Sequence, residues 1–162
     1  MRYEAFIDGS FKELPERGIA FYASAAIIAR EGTSDWTSIV QCGGEPQYLK
    51  LRNVAGEVFA AMQICEYCLN NLKLGTDDLL RVNYDYAGIA NWLKKPGDAG
   101  YWRAKSDLAS LWRTYFFTYV RPRFRVEFVH TKGHSGIRGN EIVDQLARDA
   151  VNRHLQELAA KE

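Results

Sequence analysis

The sequence carries no overall excess of positive charge: 21 Lys and Arg stand against 20 Asp and Glu, for a formal net charge of +1. That excludes the uniformly basic chains that coat nucleic acid through charge alone, although a local phosphate-binding face is still allowed. Cysteine is scarce. Cys42, Cys65 and Cys68 are the three present, an odd number and too few for the disulfide framework of a small secreted domain. Long hydrophobic runs are also missing; Ala23 to Ala29 is too short for a membrane span and is interrupted by Ser24. Met1 leads almost at once into Tyr3-Glu4-Ala5-Phe6, with no basic stretch followed by an apolar one, so no secretory signal is expected. Internal repeats and low-complexity segments are absent. The expectation is a soluble, cytoplasmic monomer without a membrane partner, built as a single domain over residues 1–162 with a helical C-terminal tail at about 151–162.

What is present suits that expectation. A chain of 162 residues with 47% apolar and 25% charged residues can bury a real core. Its charge is unevenly spread. From Arg81 to Arg138 there are eleven Lys and Arg against four acids, whereas Met1 to Leu80 holds seven bases and eleven acids. One basic third can present a phosphate-binding face on a nearly neutral protein, or be no more than a solvated surface.

The pattern of apolar residues predicts a strand over Arg2–Ile7, broken by the turn cluster Asp8-Gly9-Ser10. Further strands are predicted at Gly18–Ala29 and Trp36–Cys42. Val58, Ala61, Met62, Cys65, Cys68, Leu69 and Leu72 then recur at helical spacing until Gly75. Leu79–Tyr84 reads as a fourth strand and Arg123–His130 as a fifth. Helical pieces around Tyr86–Leu93 and Ser106–Tyr119 lie between them, and a last helix starts at Asn140. This order predicts an α/β fold with a five-stranded mixed sheet, three strands antiparallel and two parallel, flanked by helices.

On this reading Asp8 ends the first strand, Glu57 opens the first long helix, Asp85 ends the fourth strand and Asp144 lies on the last helix. Functional groups in open α/β sheets gather at the carboxyl ends of strands, so four acids remote in sequence can meet there. Packed together without a counterion they repel, and several must take up protons. A hard divalent cation such as Mg²⁺, with its preference for oxygen ligands, removes the repulsion. Two such ions about 3.5–4 Å apart can activate water and stabilise a leaving oxygen at phosphorus. Asp8, on a rigid strand end, is the candidate to bridge them.

Each acid also has a plainer reading. Asp-Gly is a common turn dipeptide, Glu57 is a favourable charge early in a helix, and Asp85 could cap the helix that follows. Asp77 and Asp78 rank lower because they precede the fourth strand. Asp144 adjoins the buried stripe of Val143 and Leu146, where an acid wants a partner or a metal. Cys65-Glu66-Tyr67-Cys68 has zinc or redox spacing, but both thiols fall on the core face of a helix and no second ligand pair exists, so packing is preferred. Trp92 and Trp102, beside Lys94, Lys95, Arg103 and Lys105, belong either to the core or to a stacking and phosphate-holding face.

Phe6-Ile7-Asp8-Gly9-Ser10, Asn53-Val54-Ala55-Gly56-Glu57, Tyr84-Asp85-Tyr86 and Thr131-Lys132-Gly133-His134-Ser135-Gly136 followed by Gly139-Asn140-Glu141 and Asp144 form an ordered set. Together they resemble ribonuclease HI from about Tyr3 to Ala150. The resemblance is nearest to the domains that often follow a viroplasmin-like hybrid-binding module, and no such module lies within these 162 residues. It implies an endonuclease that cuts the RNA strand of an RNA/DNA hybrid, leaving a 5′-phosphate and a 3′-hydroxyl. It also implies Asp8, Glu57, Asp85 and Asp144 as metal ligands for two Mg²⁺, with Mn²⁺ as a substitute, and His134 as an auxiliary group for proton transfer or product departure. Backbone groups near Gly9 and Ser10, with Asn53, become candidates for reading 2′-hydroxyls, and Lys132 for holding a phosphate.

The sequence departs from the family pattern in three places. Phe11 to Arg17 lacks a glycine-rich character, Tyr86-Ala87 stands where Ser and Gln are frequent, and the segment from Trp92 to Trp102 is short. Rival readings are another nuclease or strand-transfer enzyme of the same fold, a non-catalytic hybrid-binding domain, and a zinc-binding interaction module.

Overall fold

The computed structural model describes residues 1–131 and 137–161. Five strands form one sheet in the order β3-β2-β1-β4-β5, with β1 Arg2–Leu14, β2 Ile19–Arg30, β3 Thr37–Gly43, β4 Leu79–Tyr84 and β5 Arg125–His130. The first three are antiparallel neighbours; β4 runs parallel to β1, and β5 parallel to β4. Helices α1 (Pro46–Leu49) and α2 (Asn53–Asn70) follow β3, α3 (Gly88–Asn91) and α4 (Asp107–Tyr115) lie between β4 and β5, and α5 (Arg138–Ala160) closes the chain. The α/β class and the mixed sheet are as the sequence predicts.

One expectation fails in an informative way. The first strand does not break at Asp8-Gly9-Ser10 but continues to Leu14, so Asp8 lies within β1 rather than at its end. An Asp-Gly pair turns the chain only where no partner holds it extended. Here β2 stays hydrogen-bonded to β1 from Tyr3↔Arg30 through Leu14↔Ile19, while the pairing of β1 with β4 stops at Phe6↔Asn83. Asp8 therefore sits just past the point where β1 and β4 part, on a strand fixed from one side only.

The two faces of β1 are covered differently. Ala5 and Ile7 belong to the large cluster under α2 and α4, whereas Phe6 packs with Ala25, Ile27, Val143 and Ala147 beneath α5. Glycine sets the closeness of these contacts. A Cβ on Gly9 would collide with the backbone of Asn53 and Glu57, one on Gly56 with the carbonyl of Ala23, and one on Gly139 with the ring of Phe6. Cys65 and Cys68 are free thiols buried in the α2 core, and burial raises the titration of both. That is the packing role the sequence favours.

Other boundaries move by a turn. α2 begins at Asn53, so Glu57 is in its second turn rather than its first, and the helix ends at Asn70, short of Gly75. The helical piece after β4 shrinks to Gly88–Asn91. Ser106 caps α4, its Oγ accepting from the Ala109 N–H at 3.1 Å, and a wider π turn over Phe116–Val120 ends that run. The indole N–H of Trp112 donates to the Ile89 carbonyl at 2.9 Å, tying α4 to α3. α5 runs unbroken past residue 151; Ala150 and Val151 are buried, and Leu155 and Leu158 pack over Phe21 and Ala23. Among the described residues no helix is long and apolar enough to cross a membrane.

Candidate active site

The chain converges where β1 parts from β4, beside the carboxyl ends of β4 and β5. Asp8, Asp85 and Asp144 line one pocket of about 220 Å³ together with Ile7, Gly9, Asn53, Thr131, Asn140 and Val143. Glu57 lies behind it, only 3% exposed. Its Oε1 accepts hydrogen bonds from the backbone N–H of Asp85 at 2.9 Å and of Tyr86 at 3.1 Å. A buried carboxylate needs such donors, and these two lock the second turn of α2 to the end of β4.

The four acids form a chain of neighbours, Asp144 to Asp8 to Glu57 to Asp85. Asp8 accepts from its own neighbour, the Gly9 N–H, at 2.9 Å, and lies close enough to Asp144 for their negative charges to repel. Burial, then the charges of Glu57 and Asp144, push the Asp8 carboxyl up to about 7, against the opposing pull of the Gly9 N–H. Burial likewise raises Glu57 to about 7; the Tyr86 and Asp85 amides oppose it, Asp85 adds repulsion and His130 relieves some of it. Asp144, on α5, also forms an i,i+4 ion pair with Arg148.

The donors fit a hard divalent cation. All four charged groups are oxygen acids, and amide and hydroxyl groups of Asn53, Asn140 and Thr131 flank them. Burial first, and then repulsion from the neighbouring acids, raises the titration of two of them, and a cation would relieve that repulsion. The shell is not drawn closed: among the described residues no three Asp, Glu, His or Cys side chains stand as a ready ligand group. Glu57 is turned onto backbone amides and Asp144 onto Arg148 instead.

The remaining sequence candidates divide. Gly9 and Asn53 line the pocket, and Gly9 in addition makes room for α2. Ser10 is half-buried further along β1, outside the pocket lining. Trp92 is a correction: at 8% exposure it is a core ring and offers no free face for a base. It supports Trp102, which is 39% exposed and packs with Tyr86 and Trp92 at centroid distances of 5.9 and 6.3 Å. Lys95, Arg103 and Lys105 are exposed near that ring in sequence, and Lys94 is half-buried. Lys132 and His134 lie outside the described residues.

Three residues to which the sequence assigns no role also stand here. His130 ends β5, and its Nε2 lies 2.6 Å from the Asp85 carbonyl. The Thr131 N–H donates to the Tyr84 carbonyl at 2.7 Å, and Thr131 with Asn140 completes the pocket wall. The signal was available in the parallel register that sets Tyr84 opposite His130: whatever follows β5 must stand beside Asp85.

Sheet order, helix placement and an acidic pocket at the strand ends together define a ribonuclease H-like α/β fold. The chain belongs to the RNase H family, type 1, and is a ribonuclease H enzyme: the RNase H family model matches residues 2–152. A curated Ribonuclease H from Chromohalobacter salexigens is 30% identical over 145 residues, covering 83% of this chain and 84% of that protein. RNase H1 from the halophilic archaeon Halobacterium salinarum superposes with a TM-score of 0.70 at 14% identity, over 94% of this chain and 99% of that one. LC11-RNase H1, solved in complex with an RNA/DNA hybrid, gives a TM-score of 0.59 at 18% identity over 92% and 99%. At such identities the two structures establish the shared fold.

Proposed function

We propose that the chain is an endoribonuclease hydrolysing the RNA strand of RNA/DNA hybrids, leaving 5′-phosphate and 3′-hydroxyl ends. The observation that carries this reading is the acidic pocket, where Asp8, Asp85 and Asp144 from three separate elements share one wall with Glu57 buried behind them. The Ribonuclease H relative and the hybrid-bound LC11-RNase H1 support the choice of substrate.

Asp8, Glu57, Asp85 and Asp144 would hold two Mg²⁺, with Mn²⁺ as a substitute; when bound, the pair supplies an activated water and stabilises the departing oxygen. The protein's own part is placement. β1 holds Asp8 rigidly at the parting of the sheet, as the central acid of the four. The amides of Asp85 and Tyr86 hold the Glu57 carboxylate against repulsion. Asn53, at the start of α2 and on the pocket wall, would contact a 2′-hydroxyl, and Gly9 would allow close backbone approach. The exposed ring of Trp102, with Lys94, Lys95, Arg103 and Lys105, would hold the strand without 2′-hydroxyls. Lys132 would hold a phosphate. His134 would assist proton transfer or product departure.

Cleavage of labelled hybrid, duplex RNA and duplex DNA, with and without Mg²⁺, tests the reading. Metal-dependent cutting confined to the RNA of the hybrid is expected. Equal cutting of duplex DNA, or strand joining, would favour another enzyme of this fold.

A further inference from the structure

A second cavity, of about 770 Å³, lies away from the acidic pocket, between α3, the π turn after α4 and the outer strand β5. Its floor is apolar, with Leu93, Phe116, Phe124, Val126 and Phe128 among its lining groups. Its rim is cationic: Lys94, Arg121 and Arg125 face it, and the single acid there, Glu127, has Arg81 at 3.5 Å. Arg113 and Arg121 both lie over the ring of Phe117, at 4.9 and 5.5 Å from its centroid, which holds two guanidinium groups in place on that side.

The strand beside this groove is open. β5 is the last in the sheet order and pairs with β4 alone, so among the described residues its outer edge carries no further strand. Proteins usually blunt or cover such an edge. Side chains alternate along β5, and Val126 and Phe128 are those packed on the core side. A segment added alongside would therefore drop every second side chain over the apolar floor and send the others to the opposite face, the one to which Arg125 points.

We propose that the β5 edge and its groove form a docking site for an extended protein segment in which acidic residues alternate with apolar or aromatic ones. Strand addition would supply backbone hydrogen bonds, the floor would take the apolar side chains, Arg125 would pair with the acids, and Arg121 on the groove wall would attract the acidic segment as a whole. A concave apolar floor beside an unpaired amide ladder suits a peptide better than a nucleic acid strand, whose bases need exposed flat rings and which cannot use the ladder. A second copy of this chain is disfavoured by the same rim, which would bring Arg121 and Arg125 toward each other.

The probe is a fluorescein-labelled peptide of about eight residues, Asp alternating with Leu and Phe, long enough to span β5. Fluorescence anisotropy at low salt should show binding that weakens with added salt. Arg121→Glu and Arg125→Glu, both exposed, should each weaken it by about fivefold or more. Amide exchange should slow along Val126–Val129 when the peptide is bound. No binding, equal binding of a Lys-for-Asp peptide, or binding without protection of β5 would overturn the proposal. So would an oligothymidylate that occupies the groove and displaces the peptide, or sedimentation showing a dimer of the free protein that already protects β5.

Discussion

With no metal bound, the enzyme should lose stability as pH rises toward neutrality, and Asp8 should account for a large part of the loss. Burial and neighbouring charge raise Asp8 from 3.8 to about 7 and Glu57 from 4.5 to about 7. Between those limits the folded protein holds protons that the unfolded chain has released. Stability must then fall as pH climbs through the window, and the whole cost is present above about pH 7. Each tenfold change in proton affinity between the folded and unfolded states is worth about 1.4 kcal/mol, so each group alone sets a ceiling of about 3–4 kcal/mol. The two acids interact, and water reaches part of Asp8, so a combined loss of about 2–5 kcal/mol is expected. For a domain of this size that is a fall in Tm of about 5–15 °C between about pH 5 and about pH 8. Thermal unfolding followed by circular dichroism in a chelator measures it directly. Asp8→Asn should flatten the profile and be more stable than the unmodified chain at the higher pH while lacking hydrolytic activity. Added Mg²⁺ should restore Tm above pH 7 in the unmodified chain and do little for the variant. A metal-free Tm that rises over this window, or an Asp8→Asn protein that is less stable at high pH, would refute the reasoning.

Gly56→Ala should cost about 1–3 kcal/mol in denaturant unfolding, because its Cβ would strike the Ala23 carbonyl, and it should lower turnover with all four acids intact. Asp85→Ala should inactivate, whereas Asp77→Ala and Asp78→Ala should cut the hybrid normally; Asp78 serves a turn, accepting from the Gly75 N–H at 2.8 Å at the far end of β4. His134→Ala should slow cleavage by about 10²–10⁴-fold yet leave it measurable, and single- against multiple-turnover rates will show whether chemistry or product departure is affected.

The fold is largely legible because its signals are periodic. β4 is bounded as the sequence predicts, and α2 follows its apolar repeat. Asp8-Gly9-Ser10 misleads because turn chemistry is local, whereas β2 holds that segment extended from a hairpin away. Trp92 misleads for a related reason. A tryptophan next to Lys94 and Lys95 reads as a surface group, but the fold buries it under Tyr86 and Trp102. His130, Thr131 and Asn140 could not be ranked from residue type alone, since only the register of β4 with β5 brings them to Asp85.

Each acid of the proposed site depends on a backbone device that its own residue type does not reveal. Asp8 is held by a strand pairing that outlasts its neighbour β4. Glu57 is brought in by α2, which lies on Gly9 and, through its own Gly56, on Ala23, and two amides partly offset a burial that favours its neutral form. Asp85 follows β4 directly, with its carbonyl against His130, and Asp144 rides a helix whose first turn rests on Phe6 only because residue 139 is glycine. Repulsion among four acids works against such convergence, so the compensating rigidity must come from the scaffold. A methyl group at position 9, 56 or 139 removes no ligand and no charge, yet it should widen the site by moving a whole helix. The glycines therefore belong to the active site as much as the carboxylates they bring together.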